Sequence, residues 1–260
     1  MSWSIKLGRI ADIPVKMHLT FLLLLAWVGW SYWQRDGTSQ AVIGGVMFIL
    51  ALFGCVLLHE LGHALMARKY GIKTKDITLL PIGGLARLEK MPDDPREELW
   101  VAVAGPAVNV VIAVLLIAWL QISGGWQPIE QLSVVRGSFA ERLMIVNLIL
   151  VGFNLLPAFP MDGGRVLRAL LAMRMEYSQA TQAAANIGQM MAILFGVAGL
   201  FGNPFLILIA VFVWIGAAQE ANAVQVKSVM GEVPVERAMQ TNYKVLSPAD
   251  TLSHVTELLI

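Results

Sequence analysis

The chain has 260 residues, of which 57% are hydrophobic and only 14% are charged. A soluble domain carries roughly 25% charged residues, so this composition excludes an ordinary soluble protein and favours an integral membrane protein. The formal net charge of +1 argues against nucleic acid as a partner, and the single cysteine, Cys55, excludes an intrachain disulfide.

Six apolar stretches are long enough to cross a bilayer as helices, which takes roughly 20 residues. In chain order they are residues 17–34, 41–67, 99–122, 138–156, 181–201 and 204–219. The first follows basic residues, as the apolar part of a signal peptide would. However, no small-residue cleavage site comes after it, and Trp27, Trp30 and Trp33 are typical of an interfacial aromatic belt. We therefore predict a retained first span.

Basic residues are concentrated in alternate loops. Of the 19 lysines and arginines, only Arg35, Arg136 and Arg142 fall in the second, intervening set of loops. Because cytoplasmic loops are enriched in Lys and Arg, both termini are predicted to be cytoplasmic. We expect a multi-pass protein surrounded by the lipid bilayer of a cell inner or plasma membrane, with its site near the cytoplasmic side.

The second predicted span contains the segment HELGH, residues 59–63. Between Gly37 and Ala67, Glu60 is the only acidic or basic residue besides the two histidines. Positions i and i+4 share one face of a helix, so His59 and His63 can both face one metal ion. Zinc suits two nitrogens and a third protein ligand, with one position left for water, and Glu60 can reach that water as a general base.

A third ligand is needed, and Asp162 in NLLPAFPMDGGR is the best candidate. It follows the inner end of the fourth span, at the depth of the HELGH segment, and prolines and glycines around it free the backbone to turn inward. The alternatives are a helix N-cap role for Asp162 and ligation by His18 instead. Cys55 lies one helical turn before His59, but a fourth thiolate ligand would close the site, which favours a buried structural thiol.

These two motifs, HExxH in the second span and NLLPAFPMDGG after the fourth, resemble the paired motifs of the site-2 protease family of intramembrane zinc metalloproteases. AGPAVN, residues 104–109, and LLPIGGLARLE, residues 79–89, are also similar to segments of that family. Met161 before Asp162 is a mild departure, since the family usually has Leu or Pro there. The resemblance implies one zinc ion bound by His59, His63 and Asp162, water activation by Glu60, and cleavage of a membrane-bound regulatory substrate in or near its transmembrane segment.

Two further groups of residues are predicted to contact the substrate. The resemblance implies that Asn109 and Asn154 line the active site, and the alternative is interhelical hydrogen bonding. Two short apolar runs around Gly83 and Gly84 predict a membrane-associated β-hairpin. An extended substrate could pair with its edge at Gly83, Gly84, Leu85 and Ala86, the alternative being a plain surface loop.

The chain changes character after residue 222. Residues 223–260 are more polar, and "YKVLSPADTLSHVTELL" indicates a strand, a turn and a helix. This tail resembles the beginning of a cystathionine-β-synthase-type (CBS-type) regulatory domain, which implies adenine nucleotide binding in a complete pair. An ordered linker without a ligand is equally compatible, and we expect the domain to be incomplete here.

The predicted fold class is therefore an all-α polytopic membrane protein with six transmembrane helices in residues 1–222, a β-hairpin loop and a truncated α/β CBS-type tail. The main alternative function is a membrane metal-binding or transport protein that uses the same His and Asp site. Transporters usually carry ionisable residues along several spans, and here the third, fifth and sixth have essentially none. A scaffold with a structural zinc is also disfavoured, because no fourth ligand is evident. The oligomeric state stays open.

Overall fold

The computed structural model describes residues 3–126, 137–231, 239, 251 and 253. Four strands and seven helices follow one another within these residues. They are β1 (Ser4–Ile10), β2 (Ile13–His18), α1 (Thr20–Asp36), α2 (Ser39–Lys69), β3 (Thr74–Leu80), β4 (Gly83–Leu88), α3 (Pro95–Ile122), α4 (Phe139–Asn154), α5 (Asp162–Ala172), α6 (Tyr177–Phe201) and α7 (Phe205–Gly231).

A helix occupies each of the six stretches predicted as membrane spans. Among the described residues, four helices, α2, α3, α6 and α7, are long and apolar enough to cross a membrane. The other two, α1 with 17 residues and α4 with 16, are shorter than a typical span of about 20 residues. Many apolar side chains face outward, and Leu115, Leu194 and Leu208 are each about two-thirds exposed. Such surfaces are stable in lipid and not in water, which supports a membrane protein.

The predicted hairpin is one half of a four-stranded sheet with the order β1-β2-β3-β4. β2 and β3 are parallel, whereas the two outer pairs are antiparallel. The position of the hairpin turn was predicted wrongly. Gly83 and Gly84 begin β4, and Pro81 and Ile82 form the turn. The apolar pattern misplaced the turn because β3 begins in the polar residues from Thr74 onward, which show no strand signal.

The sheet packs against the C-terminal half of α2, the helix that carries the HELGH segment. Ile13 of β2 and Ile77 of β3 are buried against Ala64 of α2. Further toward the N-terminal end of α2, the ring of Phe53 packs edge to face on the ring of Phe21 of α1, with ring centroids 4.6 Å apart. These contacts hold β4 beside the two histidines.

The segment between α4 and α5 folds back tightly so that Asp162 begins α5. A Cβ atom at Gly164 would lie only 2.6 Å from the backbone nitrogen of Phe159, so this turn requires a glycine. Met161 is the N-cap residue and makes no side-chain cap bond. Asp162 is therefore not the N-cap considered as an alternative, and its carboxylate is free to point toward α2.

The chain divides into two compact units, Met1–Ala221 and Asn222–Ile260. In the second unit, the structure describes the end of α7 and the three isolated residues 239, 251 and 253. The strand and helix predicted for the CBS-type tail lie outside the described residues.

Candidate metal centre

Two buried histidines on α2 have their ring orientation set by hydrogen bonds. Nδ1 of His59 lies 2.8 Å from Oδ1 of Asn109, and Nδ1 of His63 lies 2.7 Å from the carbonyl oxygen of Val101. Both partners are acceptors, so each Nδ1 carries the proton and donates it. The Nε2 atom of each ring is consequently left with its lone pair, which is the tautomer that binds a metal.

A chain of amides holds the acceptor of His59 in place. Nδ2 of Asn109 donates to Oδ1 of Asn147 over 3.1 Å, and Nδ2 of Asn147 donates to the carbonyl of Leu143 over 2.8 Å. Both asparagines are fully buried. Because each amide nitrogen already has an acceptor, the oxygen of Asn109 must face His59. Three helices thus define the tautomer of one imidazole.

The two Nε2 atoms and the carboxylate of Asp162 form a nearly equilateral triangle. Nε2 of His59 lies 3.1 Å from Nε2 of His63 and 3.1 Å from Oδ2 of Asp162, and Nε2 of His63 lies 3.2 Å from the same oxygen. Zinc bonds of about 2.0–2.1 Å place tetrahedral ligand atoms about 3.3 Å apart, so the triangle fits one face of a zinc coordination sphere. Among the described residues, these three form the one group of His, Cys, Asp and Glu placed to hold a metal.

The AGPAVN segment of α3 comes very close to this triangle. A Cβ atom at Gly105 would lie 2.7 Å from Nε2 of His59 and would collide with Nε2 of His63. Gly62 of α2 makes the reciprocal approach, since its Cβ would lie 2.7 Å from the carbonyl oxygen of Ala104. Glycine at both positions lets the two helix backbones meet next to the site.

Glu60 points into a cavity of about 320 Å³ next to the triangle. Its Oε2 accepts a hydrogen bond of 3.0 Å from the backbone nitrogen of Ala86 on β4. The cavity is bordered by His59 and Glu60 and by four of the residues predicted to contact substrate, Gly83, Gly84, Asn109 and Asn154. Of the other two, Ala86 reaches the site through Glu60, and the side chain of Leu85 is exposed. Their roles toward substrate stay predictions.

The alternative ligands lie elsewhere. Nδ1 of His18 is 2.8 Å from the hydroxyl of Thr20, at the end of β2, and Cys55 is buried outside the metal-binding group. His254 lies outside the described residues.

A second group of charges, Glu98, Arg168 and Glu220, was missed by sequence reasoning, and we call it the ion cluster. Glu98 and Arg168 are fully buried, and the Glu220 side chain is about one-third exposed. The guanidinium of Arg168 donates to Oε1 of Glu98 over 2.5 and 2.8 Å and to Oε1 of Glu220 over 2.5 Å. The predicted third span began one residue after Glu98, and the predicted sixth span ended one residue before Glu220. The helices α3 and α7 extend through them, so both carry an ionisable residue after all. Asn147 was also missed, although an amide inside a predicted span was a usable signal.

Comparisons with known proteins find relatives that match most or all of the chain. Residues 47–141 and 130–197 match peptidase family M50. The chain is 37% identical over 262 residues to a zinc metalloprotease of Methanocaldococcus jannaschii, covering all of this chain and 73% of that protein. It is 30% identical over 198 residues to stage IV sporulation protein FB of Bacillus subtilis, covering 75% of this chain and 62% of that protein. The solved structure of a site-2 protease from Methanocaldococcus jannaschii superposes with a TM-score of 0.58 and 40% identity, over 84% of this chain and 95% of that one.

Proposed function

The chain belongs to peptidase family M50, the family of site-2 zinc metalloproteases, and on that premise we propose that His59, His63 and Asp162 hold its zinc ion. The observation that carries the proposal is the meeting of three ligand atoms at 3.1–3.2 Å. Two of them come from α2, which also carries Glu60 and is apolar enough to cross a membrane, and the third comes from the start of α5. The protein is an intramembrane metalloprotease, and the transport alternative is not favoured.

We assign the proton transfers to Glu60. When bound, zinc supplies Lewis-acid chemistry that polarises a peptide carbonyl and makes water more acidic. The carboxylate of Glu60 takes a proton from the attacking water and later gives it to the nitrogen of the leaving amine. The backbone N–H of Ala86 orients that carboxylate, and Asn109 keeps the proton of His59 on Nδ1.

The substrate is a transmembrane protein whose helix must unwind locally before its peptide bond is accessible. β4 is an end strand of the sheet, and the N–H of Ala86 points away from β3 toward Glu60. Because backbone groups alternate along a strand, those of Gly84 and Leu88 also point outward. These groups are available to pair with an extended substrate, as in β-strand addition. Asn154, across the cavity, is the better candidate for a substrate contact, because the amide of Asn109 is already engaged with two partners.

The membrane topology is also part of the proposal. We assign six spans by adding α1 and α4 to the four longer helices, with both termini in the cytoplasm, as the distribution of basic residues favours. The centre then lies near the cytoplasmic side of an inner or plasma membrane. Residues 223–260 are assigned to the beginning of a CBS-type regulatory domain, with adenine nucleotide as the ligand of a complete pair.

The experiment that tests the function compares Glu60→Gln with the wild type in detergent. The probe is a set of synthetic transmembrane peptides, each labelled with a fluorophore and a quencher. We expect Glu60→Gln to retain about one zinc per chain and to lose roughly 10²–10⁴-fold in turnover, the range for removal of a general base. The matched control is Glu89→Gln, which makes the same change at an exposed position and should cleave normally. Wild-type turnover by Glu60→Gln would show that Glu60 is not the base.

A further inference from the structure

A second cavity, of about 420 Å³, lies at the far end of β4 from the metal centre. Four of its lining side chains are cationic, Lys75, Arg87, Lys90 and Arg165, and one is acidic, Glu220. We call it the basic cavity. Its composition differs sharply from the apolar surfaces of the surrounding helices and calls for an anionic occupant.

Two of the four cations of the basic cavity are paired by the chain, Arg87 with Asp76 and Lys90 with Asp93 at 2.7 Å, whereas Lys75 and Arg165 lack a close acidic partner among the described residues. The one acid of the cavity, Glu220, is already bound by Arg168 at 2.5 Å. Lys75 forms no ion pair among the described residues, and Arg165 makes only a long contact of 4.0 Å with Oδ1 of Asp162. An anion entering the cavity would therefore meet at least two cationic groups without displacing a strong ion pair.

Two cationic side chains are held at the cavity by a local irregularity of β3. The register between β3 and β4 shifts between Thr74 and Asp76, which makes Lys75 the extra residue of a β-bulge. Bulges re-aim side chains and recur next to functional sites. Asp76 is only 2% exposed, and its carboxylate binds Arg87, which fixes that guanidinium on the cavity wall.

The metal-centre cavity and the basic cavity are both lined by residues of β4 and α7. Along each element, the metal-centre cavity comes first and the basic cavity second. On β4, Gly84 borders the first and Leu88 the second, four residues or about 13 Å further along the strand. On α7, Phe212 borders the first and Glu220 the second, eight residues or about 12 Å along the helix. This shared order indicates one groove between β4 and α7, of which the two cavities would be consecutive parts.

The segment that leads into α5 completes this groove. Met161 borders the metal-centre cavity, Arg165 borders the basic cavity, and Asp162 lies between them in the sequence. An extended chain that lies along the outward edge of β4 therefore passes Asp162 and then Arg165. Ala86, Arg87 and Leu88 all border the basic cavity, so it lies two to four residues beyond Gly84, or about 7–13 Å near 3.3 Å per residue.

We propose that the basic cavity is a substrate subsite that receives an acidic side chain about three to five residues from the cleaved bond, on the flank that runs toward the C-terminal end of α7. The substrate class is accordingly a transmembrane protein with an aspartate or glutamate next to its unwound segment. The inference rests on the proposed function, because it takes the substrate to be an extended peptide on β4.

The test measures peptide binding and does not depend on cleavage. The probes are fluorescently labelled peptides with an apolar half and a polar half. Each carries one Asp, placed two to seven residues past the junction between the two halves. For each peptide, a second one with Asn in place of that Asp is the control. Anisotropy titrations use the zinc-loaded full chain with Glu60→Gln, which is expected to bind the peptides without cleaving them, in nanodiscs of neutral lipid. We expect the Asp peptides with the right spacing to bind about fivefold more tightly than their Asn controls, a ratio that falls at high salt.

Matched variants locate the preference. Lys75→Gln is expected to bring the Asp-to-Asn ratio close to one. Lys73→Gln changes an exposed lysine just before β3 that does not line the cavity, and it should keep the ratio. Equal affinity of the Asp and Asn peptides for the Glu60→Gln chain with an intact basic cavity would overturn the subsite. A preference that vanishes in nanodiscs with 20% phosphatidylglycerol would assign the cavity to a lipid headgroup and also overturn it. Cleavage of the same peptides by wild type and by Glu60→Gln judges the proteolytic function separately.

Discussion

Two sites of the protein hold buried ionisable groups in opposite ways. In the metal centre, two imidazole lone pairs and the carboxylate of Asp162 face one another, and none of the described residues donates a hydrogen bond into that triangle. In the ion cluster, the chain itself supplies the cation, since Arg168 lies between Glu98 and Glu220. The first group needs a cation from solution. The second holds its own cation, although Oε2 of Glu98 is buried and has no hydrogen-bond partner among the described residues.

The comparison assigns different tasks to the two groups. The ion cluster joins α3, α5 and α7, and α5 begins with Asp162 and carries Arg168 six residues later. Removing one partner of a buried ion pair leaves an uncompensated charge, so the ion cluster should matter for folding. The metal centre should matter for zinc and turnover, with less effect on the stability of the zinc-free protein.

The largest effect is expected from a methyl group placed inside the metal centre. Gly105→Ala puts a Cβ atom onto Nε2 of His63, so zinc per chain should fall from about one to near zero. Alanine favours helices over glycine by about 1 kcal/mol, so helix propensity cannot explain a loss. Gly54→Ala, where nothing lies within 4 Å of the added atom, is the control and should keep its zinc. Elemental analysis checks both, and full zinc in Gly105→Ala would refute the close approach of α3.

The ion cluster should respond in stability instead of zinc binding. Arg168→Met leaves the carboxylate of Glu98 buried without its partner, which should lower the free energy of unfolding by about 3–5 kcal/mol. Adding Glu98→Gln should recover much of that loss, because the buried charge is then gone. Arg174→Met changes an exposed arginine of the next turn and should be nearly neutral. Denaturant titration in detergent measures all three, and a wild-type stability for Arg168→Met would contradict the structural role.

An intermediate effect is expected in the amide chain behind His59. Asn109→Ala removes the acceptor of the Nδ1 proton, which should weaken zinc affinity by about 10–100-fold, as for other partners of metal-binding histidines. Asn147→Ala acts only through Asn109 and should have a smaller effect. Chelator competition ranks the variants. Equal affinities for Asn109→Ala and the wild type would show that the tautomer is not set by this amide.

The smallest effect concerns the sheet at acid pH. The hydrogen bond from Arg87 lowers the pKa of Asp76 to about 2, well below the ordinary range of an aspartate. A depressed folded-state pKa stabilises the protein above the unfolded value, and this contribution is lost as the pH falls from about 4 to about 2. We expect a loss of about 1 kcal/mol, because both cationic partners are partly exposed. The measurement is thermal unfolding of the zinc-free protein as a function of pH, for the wild type and for Asp76→Asn, which lacks the titrating carboxylate. Identical pH profiles for the two proteins would rule the contribution out.

The sequence predicted the parts of the site that local spacing encodes. The i, i+4 spacing of His59 and His63 on one helix and the break that follows the fourth span brought three residues together as expected. It could not predict the acceptors of the histidines, since the Val101 carbonyl carries no side-chain signal and Asn109 was interpreted for another role. The closeness of Gly105 to the Nε2 atoms depends on how α3 packs on α2, which spacing alone does not determine.

The sheet shows the same limit. β3 and β4 are neighbours in the chain, and the LLPIGGLARLE pattern indicated them, with the turn misplaced. β1 and β2 were not predicted, because β2 pairs in parallel with β3 only after the chain has passed through α1 and α2. Such non-local pairing leaves no local pattern. The ion cluster was missed because the apolar windows were ended at its glutamates, although the helices continue through them.

The most direct test of the metal centre is zinc per chain by elemental analysis of detergent-purified protein, with the wild type beside Asp162→Ala and the exposed control Asp36→Ala. The account predicts about one zinc in the wild type and the control and a sharp reduction in Asp162→Ala, because two histidines alone hold zinc weakly. Full zinc retention in Asp162→Ala would contradict the three-ligand centre on which the proposed mechanism depends.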